Sequence, residues 1–184
     1  MKDSQTILKK GELELRRCGE KDLETLVYLL SCGRRQMLSR GFEQWDEGFV
    51  SQTSALEILR RGEAYVIYAD GTPCCTAQFC LREEPEYEAI RGEGWRCDSF
   101  MAVHRVASDP SVPLKGKGDL VFAFAAEYAR LCGRRSLRID TADENKAMQR
   151  CLERNGFECR GRVTLATGED HPAYELVLTE DKII

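Results

Sequence analysis

Hydrophobic and polar residues alternate along this chain in two distinct periods. Residues 12–18, ELELRRC, repeat every second position and read as a strand with one buried face. In EKDLETLVYLLSCGRRQML, 20–38, Leu23, Leu26, Val27 and Leu30 fall at helical spacing after Gly19. SQTSALEILRRG, 51–62, predicts a short helix with a Ser or Thr cap at its start and Gly62 as its stop. EAYVIYADGTPCCTAQFCL predicts a hairpin turning at Asp70-Gly71. CDSFMAVHRVA is a further strand, followed by a loop and a helix over about Leu120 to Leu131. RSLRIDTA predicts a strand, NKAMQRCLERNGF a helix ending at Gly156, and ECRGRVTL with AYELVLT a closing hairpin.

The expected order is therefore β-α-α-β-β-β-α-β-α-β-β. It describes an α+β (three-layer α/β/α) domain around a mixed, mostly antiparallel sheet. No repeat, low-complexity tract or linker interrupts it, so residues 1–184 are expected to form one domain. In VFAFAAEYARL the recurrence of Leu120, Phe124, Tyr128 and Leu131 suits a helix face packed on a sheet rather than a membrane or partner helix. Phe122 falls off that face, either exposed or packed on the second helix.

Composition narrows the function classes. No apolar run approaches the roughly 20 residues of a membrane span, and the first residues lack the apolar core of a signal peptide, so a cytoplasmic location is expected. The nine cysteines include no Cys-x-x-Cys pair, and neither His104 nor His171 has a partner at zinc-finger spacing. Reduced, packed thiols and no metal site are the expectation. The net charge of −4 is unevenly spread. Residues 104–162 hold twelve Lys/Arg against eight Asp/Glu, while the remainder holds fifteen against twenty-three. A locally basic segment in an acidic chain suits a polyanionic small molecule better than nucleic acid, and no aromatic–basic stripe accompanies it.

That segment contains SVPLKGKGDL, a basic glycine loop running into a helix. A helix start presents unpaired N–H groups and about half a positive charge. Glycines let phosphate oxygens approach the backbone, and Lys115 and Lys117 add full charges. The spacing is neither Gly-x-x-x-x-Gly-Lys-Ser/Thr nor Gly-x-Gly-x-x-Gly, which disfavours a nucleoside triphosphatase and a dinucleotide site.

HRVASDPSVPLKGKGDL followed by LRIDTADENKAMQRCLERNGF resembles the GNAT superfamily of acetyl-CoA-dependent N-acetyltransferases. FEQW before the second helix and the terminal hairpin also fit that family. The resemblance implies that Lys115, Gly116, Lys117, Gly118, Asp119 and Leu120 cradle the pyrophosphate of acetyl-CoA. It also implies that the backbone of Val106, Ala107 and Ser108 pairs with the pantetheine arm and that Asn145 approaches the cofactor. Lys115 stands where the family has Arg or Gln, Leu120 where it has a small residue, and the turn carries an added Pro113. Many members place a Tyr four residues before the Gly of a Gly-Phe pair, to protonate the departing thiolate. Here that position is Leu152.

The expected function is acetyl transfer from acetyl-CoA to a primary amine by direct attack, with a small-molecule or peptide amine as acceptor. Neither nucleic acid nor membrane is an expected partner; a homodimer is an allowed assembly. The alternative is a GNAT-fold module that binds acyl-CoA without turnover. His104 and Asp140 are the candidate catalytic residues. His104 suits amine deprotonation, although a lone His on a strand face with Phe100, Ala102 and Val106 is more often a packing residue. Asp140 could orient an amine or cap the following turn. Asn145 opens a helix, so capping is its plain reading, and Trp45 and Trp95 read as core before pocket lining.

Overall fold

The computed structural model describes residues 4–179. Its strands are β1 (Gln5–Lys10), β2 (Leu13–Arg17), β3 (Ala64–Ala69), β4 (Thr72–Cys80), β5 (Arg91–Gly92), β6 (Phe100–Ser108), β7 (Ser136–Asp140), β8 (Glu158–Thr164) and β9 (Asp170–Val177). Its helices are α1 (Leu23–Ser39), α2 (Gln52–Arg61), α3 (Pro85–Glu88), α4 (Lys117–Leu131) and α5 (Lys146–Arg154). The strands form a mixed, mostly antiparallel sheet in the order β1-β2-β3-β4-β6-β7-β9-β8-β5, with β6 and β7 parallel. Every element read from the sequence is present; β1, α3 and β5 are additions to it.

Contacts divide the chain into two units. The first comprises residues up to Phe79 with His104–Phe124; the second comprises Cys80–Val103 with residues from Ala125 onward. Strand β6 and helix α4 each contribute to both.

In the first unit, local chemistry sets the ends of the elements. Ser51 caps α2 by accepting from the Ser54 N–H, and Gly62 ends it in the left-handed region that glycine adopts without steric cost. Asp70 and Gly71, both at positive φ, form the tight β3–β4 turn. A register shift after Ile67 leaves Cys74 as an extra residue between Pro73 and Cys75, a bulge beside a proline that cannot donate to the ladder. Leu26, Leu29 and Leu30 of α1, Ala55, Ile58 and Leu59 of α2, Trp45, Val66 and Ala107 share one apolar cluster.

In the second unit, β7 pairs with β9 and β9 with β8. A shift between Cys159 and Gly161 makes Arg160 the extra residue of a second bulge. Tyr87, Ala102, Val163 and Ala173 form this unit's apolar cluster, with Trp95 and Phe100 packed against it. The β6–β7 ladder ends at Ala102↔Arg138, whereas β7 pairs with β9 as far as Asp140↔Ala173.

Helix α4 corrects one expectation. Val121, Phe122, Phe124, Ala125 and Ala129 are buried, Leu120 and Tyr128 are half-buried and Leu131 is 66% exposed, so the buried face keeps Phe124 of the expected line but is centred to one side of it. Short residues at 125 and 129 allow close packing there, and Leu131 ends the helix in solvent. The nine cysteines are all free thiols, five of them in the first unit or on β4 with no accessible surface to speak of. Among the described residues no helix is long and apolar enough to cross a membrane.

Candidate functional site

In the first unit, β6 leads through residues 109–116 into α4. Arg105 sits at φ 54, an uncommon conformation for a residue with a side chain, and it interrupts the strand's two-residue alternation. The expected shared face of His104 and Val106 therefore does not run evenly along β6. The Arg105 guanidinium stacks 3.8 Å from the centre of the Phe49 ring and donates to the Phe49 carbonyl at 2.7 Å. Beyond it, Ala107 is buried, His104, Val106 and Ser108 are half-buried, and Gln36 Nε2 donates to the Ser108 carbonyl at 2.7 Å.

The loop after β6 is built around Asp109. Its carboxylate accepts from the Ser111 N–H at 2.8 Å, the Ser111 hydroxyl at 2.7 Å and the Tyr28 hydroxyl at 3.0 Å. The Ser111 hydrogen bonds hold its pKa below the ordinary carboxylate value despite burial. Leu114 N–H returns to the Val112 carbonyl across Pro113, a three-residue turn that accounts for the added proline. Lys117 Nζ donates to the carbonyls of Asp109 and Val112 at 2.6 and 2.7 Å. Its ammonium thus fastens the loop, while Lys115 stays exposed.

Helix α4 begins at Lys117, three residues before the expected Leu120. Its first i→i−4 bond runs from Leu120 N–H to the Gly116 carbonyl at 2.9 Å, so the N–H groups of Lys117, Gly118 and Asp119 precede the helical ladder. Gly116, at φ 67, is the one loop glycine in the left-handed region; Gly118 is already helical. Leu120 needs no small-residue conformation, which explains how the chain tolerates it. A Cβ at Gly116 would lie 3.2 Å from Asp119 Oδ2, so that carboxylate stands at the mouth of the helix. The bare backbone and Lys115 suit a pyrophosphate; Asp119 opposes one.

The second unit holds a different cluster. Asp140, at the end of β7, accepts from the Tyr87 hydroxyl at 2.9 Å through Oδ1, and its Oδ2 lies 2.7 Å from His171 Nδ1 on β9. The His171 and Asp140 side chains are 8% and 9% exposed. Burial alone would lower the pKa of His171, but the hydrogen bond and charge of Asp140 outweigh it and raise the value above the ordinary 6.5. Burial, then Asp140, pushes the Tyr87 hydroxyl well above its ordinary value, which keeps it a neutral donor. His171 has no sequence signal for this pairing: it lies 31 residues from Asp140 and is brought to it by strand order.

Folding thus favours protonated His171. The sign follows: this contribution to stability is complete below pH 6.5 and is lost as pH rises through the raised folded value. Asp140→Asn should remove that dependence, visible as a flatter pH profile of the urea midpoint between neutral and mildly alkaline conditions.

Asn145 caps α5, its Oδ1 accepting from Met148 N–H at 3.2 Å. Trp45 is a core residue of the first unit, stacked on Phe49. Trp95 donates through Nε1 to the Tyr87 carbonyl at 2.7 Å and faces the Arg138 guanidinium. Leu152 has no exposed surface, so the family's tyrosine position is part of the core here.

This fold is that of the GNAT acetyltransferases. A GNAT-family acetyltransferase from Streptococcus agalactiae matches 95% of this chain and all of its own, at 22% identity and a TM-score of 0.79. The PaiA N-acetyltransferase of Thermoplasma acidophilum, solved in complex with coenzyme A, matches over 90% of this chain and 98% of its own, at 15% identity and a TM-score of 0.67. A Salmonella typhimurium acetyltransferase that modifies the N-terminal serine of ribosomal protein L7/L12 matches over 95% and 100%, at 19% identity and a TM-score of 0.65. No protein-family model matches the sequence, and no curated protein matches it either.

Proposed function

We propose that residues 1–184 act as one acetyltransferase domain that moves an acetyl group from acetyl-CoA to a primary amine by direct attack. One observation carries the reading: α4 opens with three N–H groups ahead of its ladder, behind a positive-φ Gly116 and beside an exposed Lys115. Bound there, acetyl-CoA supplies the activated thioester. In this reading Lys115 to Leu120 hold the pyrophosphate, with Lys117 acting through its charge and through the loop it fastens. Val106, Ala107 and Ser108 offer backbone to the pantetheine arm, and Asn145 combines its cap with cofactor contact. His104 and Asp140 are the groups for handling the acceptor's proton. No step in this chemistry calls on a metal. The neighbours that carry coenzyme A or modify a protein N-terminus support a small-molecule or peptide amine as acceptor.

The deciding experiment is release of free CoA from acetyl-CoA across a panel of primary amines. Binding without release from any amine would favour the acyl-CoA-binding alternative, for which Asp119 at the helix mouth and buried Leu152 speak. Binding itself should raise stability by about 2.7 kcal/mol at a hundredfold excess of acetyl-CoA over Kd, read as a shift in Tm. An unmoved Tm at millimolar acetyl-CoA and CoA would remove the cofactor from the proposal.

Charge at the helix mouth gives a second test. Gly118→Asp places a carboxylate in the first turn of α4 and should weaken CoA binding by about tenfold or more. Asp119→Asn removes the resident carboxylate and should tighten it, with calorimetry reading both. Equal affinity in wild type and Gly118→Asp would place the pyrophosphate elsewhere.

A further inference from the structure

We propose that Cys74 and Cys75 of β4 form an oxidation site, at which a peroxide joins the two neighbouring residues in a disulfide and thereby disturbs the loop before α4. The disulfide stands independently of the acetyltransferase reading; its effect on acetyl-CoA rests on that reading.

In a regular strand successive side chains point to opposite faces, so adjacent cysteines do not meet. The bulge in β4 breaks that alternation. Ile67 pairs with Cys75 and Tyr68 with Pro73, which leaves Cys74 between them. The two sulfurs lie 3.7 Å apart, in contact. As a thiol, Cys74 donates to the Ile67 carbonyl at 3.2 Å. Closing the gap to a bond of about 2.05 Å takes side-chain rotation and a twist of the peptide between the two residues. Neighbouring Cα atoms are about 3.8 Å apart, short of the roughly 4.4 Å that ordinary disulfides span, so the product is strained. Strained disulfides are readily reduced, which makes this bond reversible in the presence of thiols.

The environment divides the chemistry between the two sulfurs. The hydrogen bond from Cys75, helped by the Lys117 ammonium, holds the Cys74 thiol below its ordinary pKa. The same hydrogen bond and then burial push Cys75 well up, so Cys75 keeps its proton. Cys74 is therefore the attacking thiolate and Cys75 the resolving thiol. The Cys74 sulfur bonds to one oxygen of hydrogen peroxide, the O–O bond breaks, and the departing hydroxide takes the Cys74 proton to become water. Cys74 is then a sulfenic acid. The Cys75 sulfur bonds to the Cys74 sulfur, the S–O bond breaks, and hydroxide leaves with the Cys75 proton as a second water. Two thiols and one peroxide give one disulfide and two waters, the thiols losing the two electrons that the peroxide gains.

Both residues hold the loop that follows β6. The Cys74 carbonyl accepts from the Asp109 N–H at 3.0 Å, and Cys75 Sγ lies 3.8 Å from the Lys117 carbonyl. Lys117 Nζ in turn fastens the loop by donating to the Asp109 carbonyl at 2.6 Å. A twist of the peptide between Cys74 and Cys75 thus moves the support at Asp109 and withdraws the thiol from Lys117. Neither thiol has exposed surface, so a small oxidant such as hydrogen peroxide reaches them as this loop lifts. Acetyl-CoA held by the loop should slow the reaction.

The test treats wild type, Cys74→Ser and Cys75→Ser with hydrogen peroxide, alkylates the denatured protein with iodoacetamide and maps the peptides by tandem mass spectrometry. In wild type the peptide containing Cys74 and Cys75 should lose two hydrogens and take no label at either residue, and dithiothreitol should reverse this. Calorimetry should show acetyl-CoA affinity falling by about fivefold or more on oxidation and returning on reduction. Both serine variants should keep their affinity in peroxide. Full labelling of Cys74 and Cys75 at a peroxide dose that oxidises the exposed Cys159 overturns the disulfide. A disulfide that leaves affinity unchanged overturns its coupling to the loop. Reduced wild type that binds no acetyl-CoA removes the cofactor reading and the coupling with it, while the disulfide is still decided by mass. Should a serine variant not fold, Cys75→Ala takes its place, and a loss of affinity in peroxide there overturns the assignment to this pair.

Discussion

Glu175→Ala should destabilise the protein by about 3–5 kcal/mol, the range for leaving a buried charge without its partner. Glu175 sits on β9 directly across from Arg138 of β7, and the two side chains are 0% and 6% exposed. Its carboxylate also accepts from the backbone N–H groups of Arg96, at 2.6 Å, and Cys97, at 3.3 Å. Removing it takes the counter-charge from the Arg138 guanidinium, which is left with the Cys97 carbonyl and is wedged between the Phe100 and Trp95 rings at 3.8 and 4.3 Å from their centres. It also releases the Arg96 and Cys97 N–H donors of the chain that leads into β6. Replacing both charges with apolar residues, Arg138→Met with Glu175→Leu, should recover much of the loss, because the pair's attraction is offset by the cost of taking two ions from water. Urea unfolding of the two single variants and the double variant reads the difference. A single variant within 1 kcal/mol of wild type would mean that water already reaches the pair.

Particular residues show how much of this molecule was legible in its sequence. The helices at 20–38 and 51–62 carried their own punctuation, and Ser51 and Gly62 act as read. The Asp70-Gly71 turn needed nothing beyond its two residues. Strand β1 was missed because TILKK sits at the edge of the sheet with little burial, so charge replaces the alternation that would reveal it. Strand β5 is two residues long and owes its place to the glycine pair Gly92↔Gly161, a cross-strand match that no local window contains.

The candidate site divides along the same line. The glycine loop was visible because its chemistry is contiguous, yet its inner working was not. Lys117 reads as a phosphate ligand by type, but reaches back to two carbonyls because Pro113 and Asp109 fold the loop beneath it. Asp140 was legible as the polar end of an apolar strand. Its partners are 53 residues before it and 31 after, brought together by strand order alone. Long-range pairing of this kind leaves no spacing signal, which is why His171 emerged only from the fold.

Gly33→Leu should both destabilise the first unit and weaken CoA binding. Gly33 lies on α1, and a Cβ there would meet the Ala107 Cβ at 2.7 Å and the Trp45 ring at 2.8 Å, closer than side chains approach. Something must move, and both neighbours belong to the buried cluster. Overpacking of this kind costs about 1–3 kcal/mol. Even Gly33→Ala should show a net loss, although alanine favours a helix over glycine by about 1 kcal/mol. The functional consequence runs through β6. Gln36 lies one helical turn after Gly33 and holds the Ser108 carbonyl, so α1 pushed outward withdraws the support of residues 106–108. Acetyl-CoA affinity should therefore fall in Gly33→Leu even at temperatures where the variant stays folded. Ala107→Gly removes one of the two clashing atoms and should restore part of both losses in Gly33→Ala, whereas Trp45 remains in place. Additive losses in that double variant would show that α1 and β6 yield independently, and cofactor affinity would then owe nothing to the close approach at Gly33.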